Sequence, residues 1–300
     1  MNCPITTERM LRLLTLPLRR LPRAHILLGF VILALAIPLA ACEDDGEEGG
    51  ETPPVTAPEL EDGVLRVGSD ISYPPFESFP EGMTTPTGID VDLARALGEA
   101  LGVEVEFQDI DLDSRIPSLE AGQVDVIISA MTITEERRQR IDFIPYFRSG
   151  TGILVPGGNP TGIRNDYNLC LHTVAVEEGT IQLDQLEALN TSLCAGEMNI
   201  RIKTYDRHSP AVTQLRAGSV DAVLADYPVA LNDVLLSGGG LEVIDFQILP
   251  VTYGIGVRMD SDELKEAITQ ALRALMEDGS YDGILYKWGA RAGIWKEVAS

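Results

Sequence analysis

The chain has 300 residues, 45% of them hydrophobic and 6% aromatic, and carries a formal net charge of −23. That length suits one large domain or two modest ones, and the apolar fraction is ample for real cores. The charge argues against nucleic acid as a partner, because phosphate binding needs basic patches.

Five arginines, Arg9, Arg12, Arg19, Arg20 and Arg23, precede an apolar run, "ILLGFVILALAIPLAAC", from Ile26 to Cys42. A basic start, a short apolar stretch and small residues before a cut describe a secretory signal. Pro38 and the small-residue end argue against a membrane-spanning anchor. "LAAC" resembles the lipobox of bacterial lipoproteins, which implies cleavage before Cys42 and acylation of its sulfur. The expected protein is then extracytoplasmic and held to the membrane through its N-terminal lipid only. Loss of residues 1–41, with five arginines and one glutamate, takes the net charge from −23 to −27. Residues 42–62 are acidic and rich in Gly and Pro, and read as a disordered tether. Of four cysteines, Cys3 leaves with the signal and Cys42 takes lipid. Cys170 and Cys194 remain for an oxidising compartment, where a disulfide between them is expected and two buried free thiols are the alternative.

From Val64 onward strand-like and helix-like stretches alternate. "VLRVGS" is a short β run, and "GIDVDLARALGEALG" places Ile89, Leu93, Leu97 and Leu101 on one helical face before Gly102. "VEVEF" reads as a strand, "DSRIPSLEAG" as a short helix and "VDVIISA" as a buried strand. The alternation repeats with "TVAVEEG", "IQLDQLEAL", "IRIKTYD", "SPAVTQLRAG" and "VDAVLAD", and "DELKEAITQALRALMEDG" closes the chain as a helix. Strands alternating with helices imply an α/β fold with mainly parallel sheets.

Two segments echo each other. "LEAGQVDVIISA" (Leu119–Ala130) and "LRAGSVDAVLAD" (Leu215–Asp226) share Leu-x-Ala-Gly-x-Val-Asp followed by an apolar strand, ninety-six residues apart. That offset is too long for a solenoid and suits two similar lobes. In open α/β sheets ligands gather outside the carboxyl ends of strands. Ser129 and Ala130 end one repeated strand and Asp226 ends the other, so facing lobes would place them across a cleft.

Gly88-x-Asp90-x-Asp92, "RVGSDISYPPFES", "AMTITEERRQRIDF", "VAVEEGT" and "DAVLADYP" together resemble the bacterial solute-binding proteins, family 3, that feed polar amino-acid ABC transporters. The resemblance runs from Val64 to about Trp288, with the motifs in the family's order. It implies a two-lobed, type II periplasmic-binding-protein-like fold with two crossover strands as hinge. Lobe 1 would comprise residues 63–150 and 252–300, and lobe 2 residues 151–251.

The resemblance also implies roles. Arg137 matches the arginine that clamps a ligand's α-carboxylate, and Thr132 the hydroxyl and N–H donor beside it. Ser129 and Ala130 end the strand there, with the Ala130 carbonyl meeting the α-ammonium. Asp226 matches the carboxylate that pairs with that ammonium. Thr180 and Ile181 match the lobe-2 loop whose N–H groups reach the carboxylate. Tyr73 and Leu112 match the walls around the side chain; many relatives have an aromatic where Leu112 stands. Asp70 matches an aspartate that pairs with a cationic side chain, and Glu177 could add a second carboxylate.

Elementary chemistry points the same way. A zwitterion needs a bidentate cation and an anion at fixed separation, and arginine's planar fork suits a carboxylate. Thr134 is a credible helix N-cap that places Arg137 in the first turn, where free N–H groups favour an anion. Glu135, Glu136, Arg138 and Arg140 read as a solvated face. His172 and His208 show no metal-ligand spacing, and no nucleophile elbow or phosphate loop is present, so neither cofactor nor catalysis is expected. The expected protein is a monomeric amino-acid receptor of an ABC importer, with the permease as partner and a basic amino acid as ligand. Glutamine, or a cyclohexadienyl dehydratase on the same scaffold, are the alternatives.

Overall fold

The computed structural model describes residues 57–244 and 247–296. The segment read as a signal, Cys42 and the lipid attachment lie outside them. The first half of the described chain forms β1 (Val64–Ser69), β2 (Ser72–Tyr73), β3 (Glu77–Ser78), α1 (Ile89–Leu101), β4 (Glu104–Asp109), α2 (Leu112–Glu120), β5 (Val126–Ile127), α3 (Glu135–Arg138) and the long β6 (Ile141–Pro156). There follow β7 (Thr173–Glu177), α4 (Ile181–Ser192), β8 (Arg201–Tyr205), α5 (His208–Arg216), β9 (Ala222–Asp226), α6 (Tyr227–Leu236), β10 (Leu241–Val243) and β11 (Ile248–Arg258). Helices α7 (Asp262–Glu277) and α8 (Ser280–Lys287) come last.

One sheet path, β4-β1-β5-β11-β6-β9-β7-β8, runs through both halves. Its flanks are parallel: β1 pairs with β4 and β5, and β7 pairs with β8 and β9. The centre departs from the mainly parallel sheet expected, because β6 lies antiparallel to both β11 and β9. The reason is the hinge. A strand that leaves one lobe for the other and a strand that returns must run in opposite directions.

The side chains of β6 show the change of lobe. Ile144, Tyr146 and Phe147 join the core formed with α1, α7 and α8. Farther along, Ile153 and Val155 face one apolar cluster and Leu154 faces another, as alternation along a strand requires. Each half of the sheet is thus covered on both faces.

The echo is structural. Helices α2 and α5 occupy positions offset by ninety-six residues at both ends, and each is followed by a glycine in the left-handed region, Gly122 at φ +68° and Gly218 at φ +69°. Only a residue without Cβ turns there at little cost.

Three expectations need correction. The tether expected over residues 42–62 does not hold for its described part, residues 57–62: Ala57 is buried in the core, and Glu59 accepts from Arg258 Nη2 at 2.7 Å. An apolar alanine and a salt-bridged glutamate anchor what composition alone reads as linker. The strand expected over "VDVIISA" pairs only at Val126–Ile127, since the chain turns away toward the cleft. The helix over "DELKEAITQALRALMEDG" runs from Asp262 to Glu277 before its glycine, as expected, but it does not close the chain: Gly279 at φ +84° leads into α8.

The disulfide is present between Cys170 and Cys194, with Cα atoms 5.3 Å apart. Among the described residues no helix is long and apolar enough to cross a membrane.

Candidate functional site

The carboxyl ends of β1, β5, β7 and β9 converge on a pocket that is open to solvent at its mouth. All eleven residues singled out in the sequence line it: Asp70, Tyr73 and Leu112; Ser129, Ala130, Thr132 and Arg137; Glu177, Thr180, Ile181 and Asp226.

The turn after β5 is held from below. Ala130 has φ +42°, costly for a residue with a Cβ. Its N–H donates to Asp90 Oδ2 at 2.6 Å, and Arg115 Nη1 donates to the Ser129 carbonyl at 2.7 Å. Ser129 Oγ accepts from the Asp70 N–H at 3.0 Å and donates to Glu77 Oε1 at 2.5 Å. Asp90, in the first turn of α1, is buried and also accepts from the Tyr146 hydroxyl at 2.8 Å. Burial, only partly offset by these hydrogen bonds, raises its pKa to about 6. Burial and the neighbouring Asp90 charge push Glu77 well above the usual carboxylate range.

Thr134 caps the next helix by accepting from the Arg137 N–H at 3.2 Å. The helix has only four residues, so the dipole argument for an anion there loses its basis. What aims Arg137 is direct hydrogen bonding. Nη1 donates to the Thr132 carbonyl at 2.8 Å and Nη2 to the Gly179 carbonyl, on the other side of the cleft, at 3.2 Å. Burial, then repulsion from Arg115, lowers its pKa to about 10, which leaves it charged at neutral pH. Arg138 and Arg140 are exposed, the latter bridging Glu120 on the surface.

Across the cleft, Asp226 ends β9 and opens α6. Its Oδ2 accepts from the Tyr73 hydroxyl at 2.9 Å and its Oδ1 from Gln182 Nε2 at 3.0 Å. Burial raises its pKa, while these hydrogen bonds favour the ionised form. Thr180 caps α4 and donates to the Glu177 carbonyl at 2.8 Å. Glu177 itself is buried, and burial plus the nearby Asp70 charge raise its pKa to about 8, with Arg115 pulling it back.

Four lining residues escaped the sequence reading: Glu77, Arg115, Met131 and Gln182. Arg115 carried a signal, since it sits with Leu112 and Leu119 on the inward stripe of α2 yet is an arginine, 3% exposed. Gln182 lies in the first turn of α4, two residues past the cap. Glu77 sits in a two-residue strand that no periodicity reveals. His208 is packed rather than ligating: its ring lies edge-on to Tyr73, and its Nε2 is 2.6 Å from Asp233 Oδ2. Among the described residues no group of His, Cys, Asp or Glu is arranged to hold a metal ion.

A sequence model of the bacterial extracellular solute-binding proteins, family 3, matches residues 65–291. The arginine-binding protein ArgT of Corynebacterium glutamicum is 30% identical over 295 residues, covering 93% of this chain and 96% of that protein. A probable histidine-binding protein of Neisseria gonorrhoeae is 31% identical, over 86% of this chain and 93% of its own. Among solved structures, an ancestral arginine-binding protein bound to glutamine superposes with a TM-score of 0.70 at 37% identity, covering 76% of this chain and 98% of its own.

Proposed function

The chain belongs to the bacterial extracellular solute-binding proteins, family 3, and we propose that it closes its two lobes over a free basic α-amino acid. The observation that carries this reading is the pairing of Arg137 and Asp226 in one pocket, from opposite sides of a cleft. A zwitterion offers each of them its complement. Thr132, Thr180 and Ile181 stand beside Arg137 for the carboxylate, the Ala130 carbonyl and Asp226 for the ammonium, and Tyr73 and Leu112 for the side chain. Asp70 and Glu177 add two carboxylates, and the Asp70 charge, though paired with Arg207, helps by repulsion to raise the Glu177 pKa. A cationic side chain relieves that repulsion and a glutamate side chain would worsen it. The names of the arginine-binding and histidine-binding relatives support the same choice.

Lobe 1 in this reading is residues 63–150 and 252–300, lobe 2 residues 151–251, and β6 and β11 form the hinge. Closure follows from differential contacts, because Arg137 and Asp226 reach one ligand together only when the lobes meet. The protein works as a monomer, anchored outside the cell through lipid on Cys42, and presents its closed surface to the permease of an ABC importer.

A thermal-shift screen of the twenty amino acids with ornithine and citrulline tests the ligand class, since a ligand that binds only the folded state raises its stability. Arginine, lysine, ornithine or histidine should give the largest shifts. A screen headed by glutamate would sink the charge argument. An acidic residue in the cleft, Glu177 with its raised pKa or Asp70, could serve a dehydratase on this fold; turnover of prephenate or arogenate would replace the receptor reading.

A further inference from the structure

Arg207 belongs to the second lobe, yet its guanidinium is bound to the first. Its Nη1 stands 3.0 Å from Asp70 Oδ1, and its Nη2 pairs with Asp111 Oδ1 and lies 3.9 Å from Asp109 Oδ1. The sequence reading passed over this residue. The internal echo explains the meeting. Asp111 and Arg207 are the residues immediately before α2 and α5, the two counterpart helices, and so occupy equivalent positions in the two lobes. Equivalent positions face each other across the cleft, and here they carry opposite charges.

The consequence falls on Asp70. Its side chain is only 4% exposed, while that of Arg207 is 32% exposed, so the pair sits where the pocket wall meets solvent. Asp70 Oδ1 already accepts from Ser72 Oγ at 2.7 Å, and the guanidinium shares the same oxygen. Glu177, the other carboxylate facing this region, is drawn by Arg115 and more weakly by Arg207, yet burial and the Asp70 charge outweigh both and it resists ionisation.

We propose that Arg207 is a specificity-determining residue: on closure it gives Asp70 a cation from the protein itself, which moderates the preference for basic ligands. The inference rests on the amino-acid-binding reading above. A basic side chain entering the pocket meets an Asp70 that is already paired, together with a like charge at its rim, and its selection falls to Glu177. A neutral amide side chain meets no unpaired charge at Asp70 and loses nothing from Arg207. The residue therefore acts in two ways that can be separated: as a latch that helps every ligand equally, and as a repulsive element that discriminates among them.

The experiment is calorimetric binding of free arginine and free glutamine to the mature protein at neutral pH, read as the ratio of the two dissociation constants. The ratio cancels any loss of closure common to both ligands. Removing one unit charge several ångströms from a ligand cation, in a partly solvated site, should raise the preference for free arginine roughly tenfold in Arg207→Gln. Arg207→Lys, which keeps the charge, should stay near the wild-type ratio. Asp111→Asn should move the ratio the other way, because it leaves the guanidinium to Asp70. An unchanged ratio in Arg207→Gln, with both ligands weakened alike, would reduce Arg207 to a latch and overturn the inference while sparing the amino-acid reading. Wild-type protein that binds neither amino acid would bring down both.

Discussion

Glu177 offers the sharpest test of ligand class, because its protonation and the ligand's charge are coupled. Burial first, and the Asp70 charge second, raise its pKa from an ordinary 4.5 to about 8. An acid raised in this way resists ionisation in the fold. Its contribution to stability is therefore undiminished below about pH 4.5, is lost progressively as pH climbs toward 8, and stays lost above that. At pH 7, one unit below its pKa, about nine carboxyls in ten hold a proton. A cationic side chain placed against Glu177 reverses the balance and expels it. Binding of free arginine at pH 7 should then release about one proton, and its affinity should rise roughly fiftyfold between pH 6 and 8 before levelling off. Calorimetry in buffers of different ionisation enthalpy reads the proton count directly. Asp226 is also raised by burial, but its ammonium partner is common to all amino acids, so free glutamine serves as the reference. The difference between the two ligands should be close to one proton in wild type and close to zero in Glu177→Gln. Equal proton counts for arginine and glutamine in the wild type, or a difference that survives in Glu177→Gln, would refute the reasoning.

Arg137→Ala and Asp226→Ala should each weaken amino-acid binding by about 3–5 kcal/mol, because either change leaves one ligand charge buried without its partner. Near-native affinity by calorimetry in either variant would dismantle the proposed site. Reducing the Cys170–Cys194 bond, whose ends are 24 residues apart, should lower stability by roughly 3 kcal/mol in thermal or denaturant unfolding; an unchanged transition would mean the closed loop does not restrict the unfolded chain. Gly88→Ala should cost at least about 2–3 kcal/mol, since φ there is +147° and a Cβ would stand 1.9 Å from the Phe76 carbonyl oxygen, which is backbone and cannot swing aside. A variant that unfolds at the wild-type urea midpoint would contradict that placement.

Much of this was legible in the sequence, for identifiable reasons. Helices such as α1 advertise themselves through a stripe of Ile89, Leu93 and Leu97 with a glycine stop, and buried strands such as β9 through a run of apolar residues between turns. The helix–glycine–strand echo carried both the lobe symmetry and the cleft, because a repeated backbone unit repeats its direction. Local pattern does not encode who meets whom. The antiparallel pairing of β6 with β11 joins residues more than ninety positions apart in the chain. Asp90 looked like an ordinary first-turn acid until its hydrogen bond to the Ala130 N–H placed it beneath the site. Arg115 broke the apolar stripe of α2, and an inward arginine on a short helix is the kind of local inconsistency that marks a functional neighbourhood.

The lobes meet through polar contacts, Tyr73 with Asp226, Arg137 with the Gly179 carbonyl, and Arg207 with Asp70 and Asp111, and through apolar ones, the Tyr73 ring edge-on to His208 and Ala225 and Val229 against the core of the first lobe. Each lobe keeps apolar clusters of its own, and only Ala225 and Val229 of the second lobe enter the large core of the first. Polar contacts made in partly solvated surroundings contribute modestly, since each replaces a hydrogen bond to water. In the proposed reading, a ligand that engages Arg137 and Asp226 together favours the closed form by its differential affinity for it. Of the residues that face the proposed ligand, Tyr73, Arg137, Asp226 and Asp70 also join the lobes, which ties recognition to closure. Arg207 is the exception. It joins the lobes without facing the ligand's α-amino and α-carboxyl groups, and for that reason it can tune which side chain is accepted while leaving the recognition of an amino acid as such to the others.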